Sequence, residues 1–123
     1  MKIIQTDKAP AAIGPYSQAV AINGIVYTSG QIPLSPVSGE ITGATVAEQA
    51  EAAIKNVKEV LEAAGSSIEK VIKTTCFLTD MSKFSEFNAV YAKYFTTKPA
   101  RSCVEVSALP RGAMVEIEAV AAV

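Results

Sequence analysis

A guanidinium and two carboxylates stand near the C-terminal end of the chain, in Pro99-Ala100-Arg101-Ser102 and Val115-Glu116-Ile117-Glu118. An arginine held at the start of a strand can grip a carboxylate through two parallel N–H bonds. A glutamate kept partly dry has its pKa raised and can then take a proton from water. Each has a plainer reading. Arg101 can pair on the surface with Glu105, further along the same strand face, and Glu116 with Glu118 can be the wet strip of a sheet. Spacing by itself favours the plainer readings. Tyr16 follows the Gly14-Pro15 turn, so its hydroxyl either donates to a ligand or caps the edge of the core. Ser29-Gly30 ends a strand, where a glycine allows close backbone approach to a ligand or simply stops the strand. Cys103 shares a face with Arg101, but no His or cation cluster is there to form its thiolate, and an inert thiol is expected. Asn88 lies one helical turn from both Phe84 and Tyr91, as a pocket hydrogen-bonder or an ordinary surface amide.

The 123 residues include no His and no Trp. Without His the chain lacks the usual general base and the commonest metal ligand. Eleven Lys and Arg face twelve Asp and Glu, for a net charge of -1, and the cations are scattered. That gives no basic footprint for nucleic acid. Two cysteines, Cys76 and Cys103, form no CxxC and have no His to join them, which rules out a structural zinc site on ligand count. Two lone thiols, an N-terminus without an apolar run and no apolar stretch of membrane length predict a cytosolic protein. Half the residues are apolar and 19% are charged, so one globular domain over 1–123 is expected.

The elements that must position these residues follow from period and turn chemistry. Lys2–Thr6 is a short strand. Gln18–Ile22 and Ile25–Gly30 flank Asn23-Gly24, a two-residue hairpin signal. Residues 31–43 carry two prolines and two glycines and read as loop. Thr45–Ala64 is the clearest helix, with Val46, Ala50, Ile54, Val57, Leu61 and Ala64 in one apolar stripe, Thr45 and Glu48 as a capping box and Gly65 beyond its end. Val71–Thr79 is a strand. Ser82 is expected to cap a second helix striped by Phe84, Phe87, Tyr91 and Tyr94, or by their neighbours Val90 and Phe95. Ala100–Ser107 and Met114–Val123 are the last strands.

The order β-β-β-α-β-α-β-β has too few helices to cover both faces of a sheet, which predicts a two-layer α+β domain. The helical crossover between 71–79 and 100–107 predicts that those strands run parallel. Along the last two strands, the alternation separates a core face from a second face that mixes apolar residues with charges. Arg101, Cys103, Glu105, Glu116 and Glu118 fall on this mixed face in the expected grouping. Such a face suits a subunit interface holding a polar pocket.

AAIGPYSQA at 11–19, TSGQIP at 28–33, PARSCVEV at 99–106 and VEIEA at 115–119 together resemble the RidA (YjgF-like) family of reactive-intermediate deaminases. Lys73-Thr74-Thr75, Asp80 and the Asn88–Tyr91 segment fit as well, so the resemblance spans essentially the whole chain. It implies a mixed sheet with two helices on one face, chorismate-mutase-like, assembled as a homotrimer with sites in the clefts between subunits. It implies hydrolysis of 2-iminobutanoate, 2-iminopropanoate and related imino or enamino acids to 2-oxo acids and ammonia, with no metal or cofactor. Residue by residue, Arg101 matches the carboxylate-binding arginine and Glu116 the glutamate that activates water. Tyr16, Ser29, Gly30 and Asn88 match pocket residues, Cys103 contributes mainly through its backbone, and Glu118 has a structural role. The Thr96-Thr97-Lys98 connection looks short for the family. The implied partners are a small imino or 2-oxo acid and further copies of the chain, with neither nucleic acid nor membrane. Three competing readings are a non-catalytic small-carboxylate-binding metabolic regulator, an RNA-cleaving translation inhibitor, against which the acidic balance weighs, and a chorismate mutase by analogy of fold alone.

Overall fold

Asn23 and Gly24 adopt left-handed φ of 53° and 77°. Two successive residues at positive φ match the twist of a tight hairpin, so Ile22 pairs directly with Ile25. The computed structural model describes residues 1–123. Its strands are β1 (Lys2–Ile4), β2 (Ala19–Ile22), β3 (Ile25–Thr28), β4 (Val71–Leu78), β5 (Ala100–Glu105) and β6 (Val115–Ala122). Its helices are α1 (Val46–Ala63) and α2 (Phe84–Tyr94). The element order is the expected one, and the strands form a single sheet ordered β1-β2-β3-β6-β4-β5. β4 and β5 run parallel, as the crossover through α2 requires, and every other pair is antiparallel.

α1 begins with the predicted capping box. The Thr45 hydroxyl accepts from the Glu48 N–H at 3.1 Å, and Glu48 accepts from the Thr45 N–H at 3.2 Å. The open N–H groups at this helix start are thus met locally. The predicted stripe is buried throughout, and Gly65, at φ 80°, follows the Ala64 cap. The start of α2 differs from expectation. Asp80, not Ser82, supplies the cap: its carboxylate accepts from the Ser82 N–H at 3.0 Å, starting a short 3-10 turn over Met81–Lys83. α2 then continues at Phe84 with no side-chain cap of its own. A carboxylate two residues upstream of a free N–H closes this local ring before a serine further on can.

Both helices pack on one face of the sheet. Val26, Cys76, Leu78, Val115, Ile117 and Ala121 line that face and are almost wholly buried, meeting Ile54, Val57, Leu61 and Phe87 from the helices in one cluster. Three buried polar side chains then hold the loops. The Asn56 amide on α1 donates to the carbonyls of Ile32 and Leu34 at 3.1 and 2.9 Å. Gln49 donates to the Gly43 carbonyl and accepts from the Met114 N–H, one residue before β6. Gln18 does the same for the N-terminal segment. No buried side-chain nitrogen or oxygen is left without a partner, so these amides escape the desolvation cost of an unsatisfied group.

The other face has no helix over it. Register assigns its occupants. Ile3 lies opposite Val20, Val20 opposite Tyr27, and Tyr27 opposite Val120. Further along, Glu118, Thr75 and Ser102 form one row, and Glu116, Phe77 and Val104 another. The grouping expected from alternation is therefore corrected. In β5, Ser102 and Val104 share the open face with Glu116 and Glu118. Arg101 and Cys103 lie on the helix face, opposite the buried Thr74 and Cys76. Period two states which residues of one strand share a side, but only the hydrogen-bonded register joins a side of one strand to a side of the next.

Candidate functional site

Arg101 is on the edge strand, beneath α2. Phe84, Asn88 and Tyr91 recur at spacings of four and three along the helix and meet it from one side. The Arg101 Nη1 donates to Asn88 Oδ1 at 2.7 Å. Its guanidinium carbon lies 4.7 Å from the centre of the Tyr91 ring and 5.4 Å from that of Phe84. Ring faces attract a guanidinium and hold its plane. Tyr91 is fixed in turn by a 2.7 Å hydrogen bond between its hydroxyl and Thr74. The surface pairing with Glu105 does not occur, because the Glu105 carboxylate accepts from the Met81 N–H at 2.7 Å. The ion pairs of the chain are Lys55–Glu51 and Lys58–Glu62, both on α1, so Arg101 meets no carboxylate of its own chain. The guanidinium borders an open groove of about 600 Å³ with Asn88, Phe95, Thr96 and Pro99. Cys103 is two residues on, half-buried, and burial pushes its thiol pKa up, the opposite of what a nucleophile needs.

Glu116 belongs to a different place. It lines a cavity of about 330 Å³ with Tyr16, Gly30, Ile32, Pro110 and Arg111. Burial, and to a lesser degree the neighbouring Glu118, raise its carboxyl pKa above the ordinary carboxylate range. The reason for Gly30 is steric. A Cβ there would overlap the Glu116 carboxylate oxygen and lie 2.7 Å from the carboxyl carbon. Glycine lets the acid lie flat across the strand end. Gly30→Ala is expected to leave the fold intact, because the colliding atoms are the far end of a flexible side chain. It should swing the carboxylate aside, and any proton transfer that Glu116 performs should slow about tenfold or more. Circular dichroism, beside an assay of the imine hydrolysis that the sequence resemblance implies, checks both halves of that statement.

Tyr16 is half-exposed, on a loop that also carries Ile13, and its hydroxyl accepts from the Ile13 N–H at 3.4 Å. It faces the Glu116 cavity. Ser29 stands behind it: its hydroxyl donates to the Ser17 carbonyl at 2.6 Å, so that proton stitches the end of β3 to the Tyr16 loop. The seven expected site residues thus form two groups. Arg101, Asn88 and Cys103 gather on the helix side at one edge. Glu116, Gly30, Tyr16 and Ser29 gather at the end of β3 and the start of β6, with Glu116 on the opposite face of the sheet. A single chain does not bring the groups together.

Sequence reasoning missed Arg111 and Gln18. Arg111, at φ 61°, lines the Glu116 cavity and donates to the Gly39 carbonyl at 3.0 Å. Its only sequence signal was a Leu-Pro-Arg-Gly turn. Gln18 reads from sequence as an ordinary polar residue at a strand start. No three Asp, Glu or Cys side chains converge as a set that could hold a metal ion.

Residues 6–123 match the family model described as Endoribonuclease L-PSP. A protein of Mus musculus named 2-iminobutanoate/2-iminopropanoate deaminase is 51% identical over 98% of this chain and 90% of its own length. A Lactococcus lactis protein named as the regulator AldR is 52% identical over 100% of this chain and 98% of its own. The crystal structure of E. coli TdcF with bound serine superposes with a TM-score of 0.95 at 46% identity, covering 100% of this chain and 99% of that one.

Proposed function

The chain belongs to the Endoribonuclease L-PSP family, the YjgF/RidA group, and from that membership we propose that it hydrolyses reactive 2-imino and enamino acids, such as 2-iminobutanoate and 2-iminopropanoate, to 2-oxo acids and ammonia. The observation that carries this reading is Arg101, a guanidinium oriented by an amide and two rings yet left without a carboxylate of its own chain. Such a group suits the α-carboxylate of a small acid. Three mammalian relatives at about 50% identity bear the deaminase name. The serine bound by the E. coli relative carries an α-carboxylate and an α-nitrogen, as a 2-imino acid does.

The chain works as a homotrimer, with its bare sheet face as the interface. Ile3, Tyr27 and Val104 on that face are between 44% and 64% exposed, an apolar area that a partner would cover. One protomer supplies Arg101 and Asn88 to each site, and its neighbour supplies Glu116, Gly30 and Tyr16. The substrate carboxylate lies on the Arg101 fork. Water, held by Glu116, attacks the C=N carbon. Its oxygen bonds to carbon, its proton passes to Glu116, and the C=N electron pair moves to nitrogen. Glu116 then returns that proton to the carbinolamine nitrogen, the C–N bond breaks with its electron pair on nitrogen, and the hydroxyl proton passes back to the Glu116 carboxylate, so that ammonia leaves and the 2-oxo acid remains. Tyr16 offers its hydroxyl to the departing nitrogen. An iminium carbon is already strongly electrophilic, so the missing His is no obstacle. Two unpaired thiols fit a reducing compartment such as the cytosol.

A dehydratase or amino-acid oxidase that generates imines of several side chains provides the test. Release of 2-oxo acid should be faster with the protein than without it. Superimposable progress curves would overturn the proposal. The regulator name of the lactococcal relative favours a second reading, a carboxylate-binding regulator without turnover. Binding of 2-oxo acids together with unaccelerated imine decay would select it. The ribonuclease description of the family is set aside on the charge balance and the absent His.

A further inference from the structure

We infer that Gln18 is a positioning residue, whose buried amide clasps residues 6–10 and so fixes the Tyr16 loop at the mouth of the Glu116 cavity. The functional part of this inference rests on the imine-hydrolysis reading; the mechanical part does not.

The segment from Gln5 to Ser17 contains no regular structure and only one buried residue, Ala9. Left to its own contacts, such a segment would move freely. Gln18, 3% exposed, supplies what it lacks. Its Oε1 accepts from the Thr6 N–H at 2.7 Å. Its Nε2 has the carbonyls of Pro10, Thr6 and Ala9 at 2.8, 3.1 and 3.4 Å, so three acceptors share two protons. The Gln18 carbonyl accepts from the Ser29 N–H at 2.9 Å. One residue therefore ties the start of the Tyr16 loop to the strand end at Gly30, on which the Glu116 carboxylate lies.

The cavities around it show why the clasp is needed. A second hollow, of about 520 Å³, opens on the other side, between β1 and this loop. Ala11, Tyr16 and Gln18 line both hollows, so the loop is a partition between them. A partition with empty space on each side has little packing to define its place. Hydrogen bonds from a buried amide define it, and in the dry interior they are strong and directional. Without them, Tyr16 can move away from Glu116 into the second hollow.

The test uses Gln18→Leu, which keeps the bulk and removes every side-chain hydrogen bond while leaving the backbone bond to Ser29 in place. Gln18→Glu, which keeps an acceptor for the Thr6 N–H and loses the donors, serves if the first variant does not fold. Limited trypsin digestion of the folded protein reads the clasp. Cleavage after Lys8 is compared with cleavage after Arg111, an exposed reference on the other rim of the cavity. Loss of the clasp should raise the Lys8 to Arg111 ratio about tenfold. An unchanged ratio overturns the inference whatever the activity. Imine turnover reads the consequence. Gln18→Leu should lower kcat about tenfold with the wild-type Tyr16, and should cost little more once Tyr16→Phe is present, since both changes disable one device. Losses that multiply independently would make Gln18 a general stabiliser and overturn its positioning role. A wild type that hydrolyses no imine would sink the functional reading and leave the trypsin ratio to decide the clasp.

Discussion

Arg101→Ala is expected to lower kcat/KM for imine hydrolysis about 10²- to 10³-fold, which corresponds to roughly 2–4 kcal/mol of transition-state binding for a lost bidentate carboxylate contact. The loss should fall on substrates that bear an α-carboxylate and be far smaller for an imine without one. Arg101→Lys should recover little. An ammonium cannot reproduce the two parallel N–H bonds, nor present a planar face to the Tyr91 and Phe84 rings while bonded to Asn88. The fold should survive, because Arg101 is at a sheet edge and neutralises no buried charge. Gel filtration and thermal melting separate a lost clamp from a lost assembly. Retained activity in a folded Arg101→Ala protein would remove the carboxylate clamp from the mechanism.

Glu116→Gln should cost about 10²- to 10⁴-fold in turnover, the range for losing a general base. Its pH behaviour carries a further signature. Burial raises the Glu116 pKa, so wild-type turnover should climb with pH through a midpoint above that of an ordinary glutamate. Stability should move the other way. A carboxyl whose folded pKa exceeds its unfolded one contributes stability that is fully present below the unfolded value and is lost as pH rises through the folded value. Above that window the wild type bears the cost of an ionised, half-buried acid, and the neutral amide of the Glu116→Gln variant removes that cost. The variant should therefore melt slightly higher at neutral pH and lose that advantage in acid. The gain is small because half of the group still meets water.

The two variants together test the split site. Arg101→Ala keeps the Glu116 half, and Glu116→Gln keeps the Arg101 half. If each site joins halves from neighbours in a ring of three, random one-to-one co-assembly should restore about a quarter of the sites. Each variant alone should remain inactive. Mixed assemblies with no recovery would mean that both halves must come from one protomer, against the placement of Arg101 and Glu116 on opposite sheet faces.

Much of this was legible without coordinates, wherever the determining forces are local. The Thr45–Glu48 box, the stripe from Val46 to Leu61 and Gly65 define α1 within single turns of chain. Asn23-Gly24 defines the hairpin by φ preference alone. The parallel pairing of β4 with β5 followed from the helical crossover between them. The expectation that Ser82 caps α2 fails because Asp80, an equally local competitor two residues upstream, caps the short 3-10 turn that precedes the helix, and α2 follows on from that turn without a side-chain cap. Gln18 and Gly30 lay beyond local reasoning. The acceptors of Gln18 are 8 to 12 residues away, and the reason for Gly30 is a carboxylate on the last strand.

What the sequence alone determined was the list of helices and strands, the residues that could do chemistry, and the family they resemble. Short-range geometry and motif order suffice for these. Tertiary structure alone decided which strand faces adjoin. It set Arg101 among the rings of α2, turned Glu116 to the uncovered side, and so divided the candidate machinery in two. That decision is made by pairing register between distant segments, and nothing within either strand encodes it.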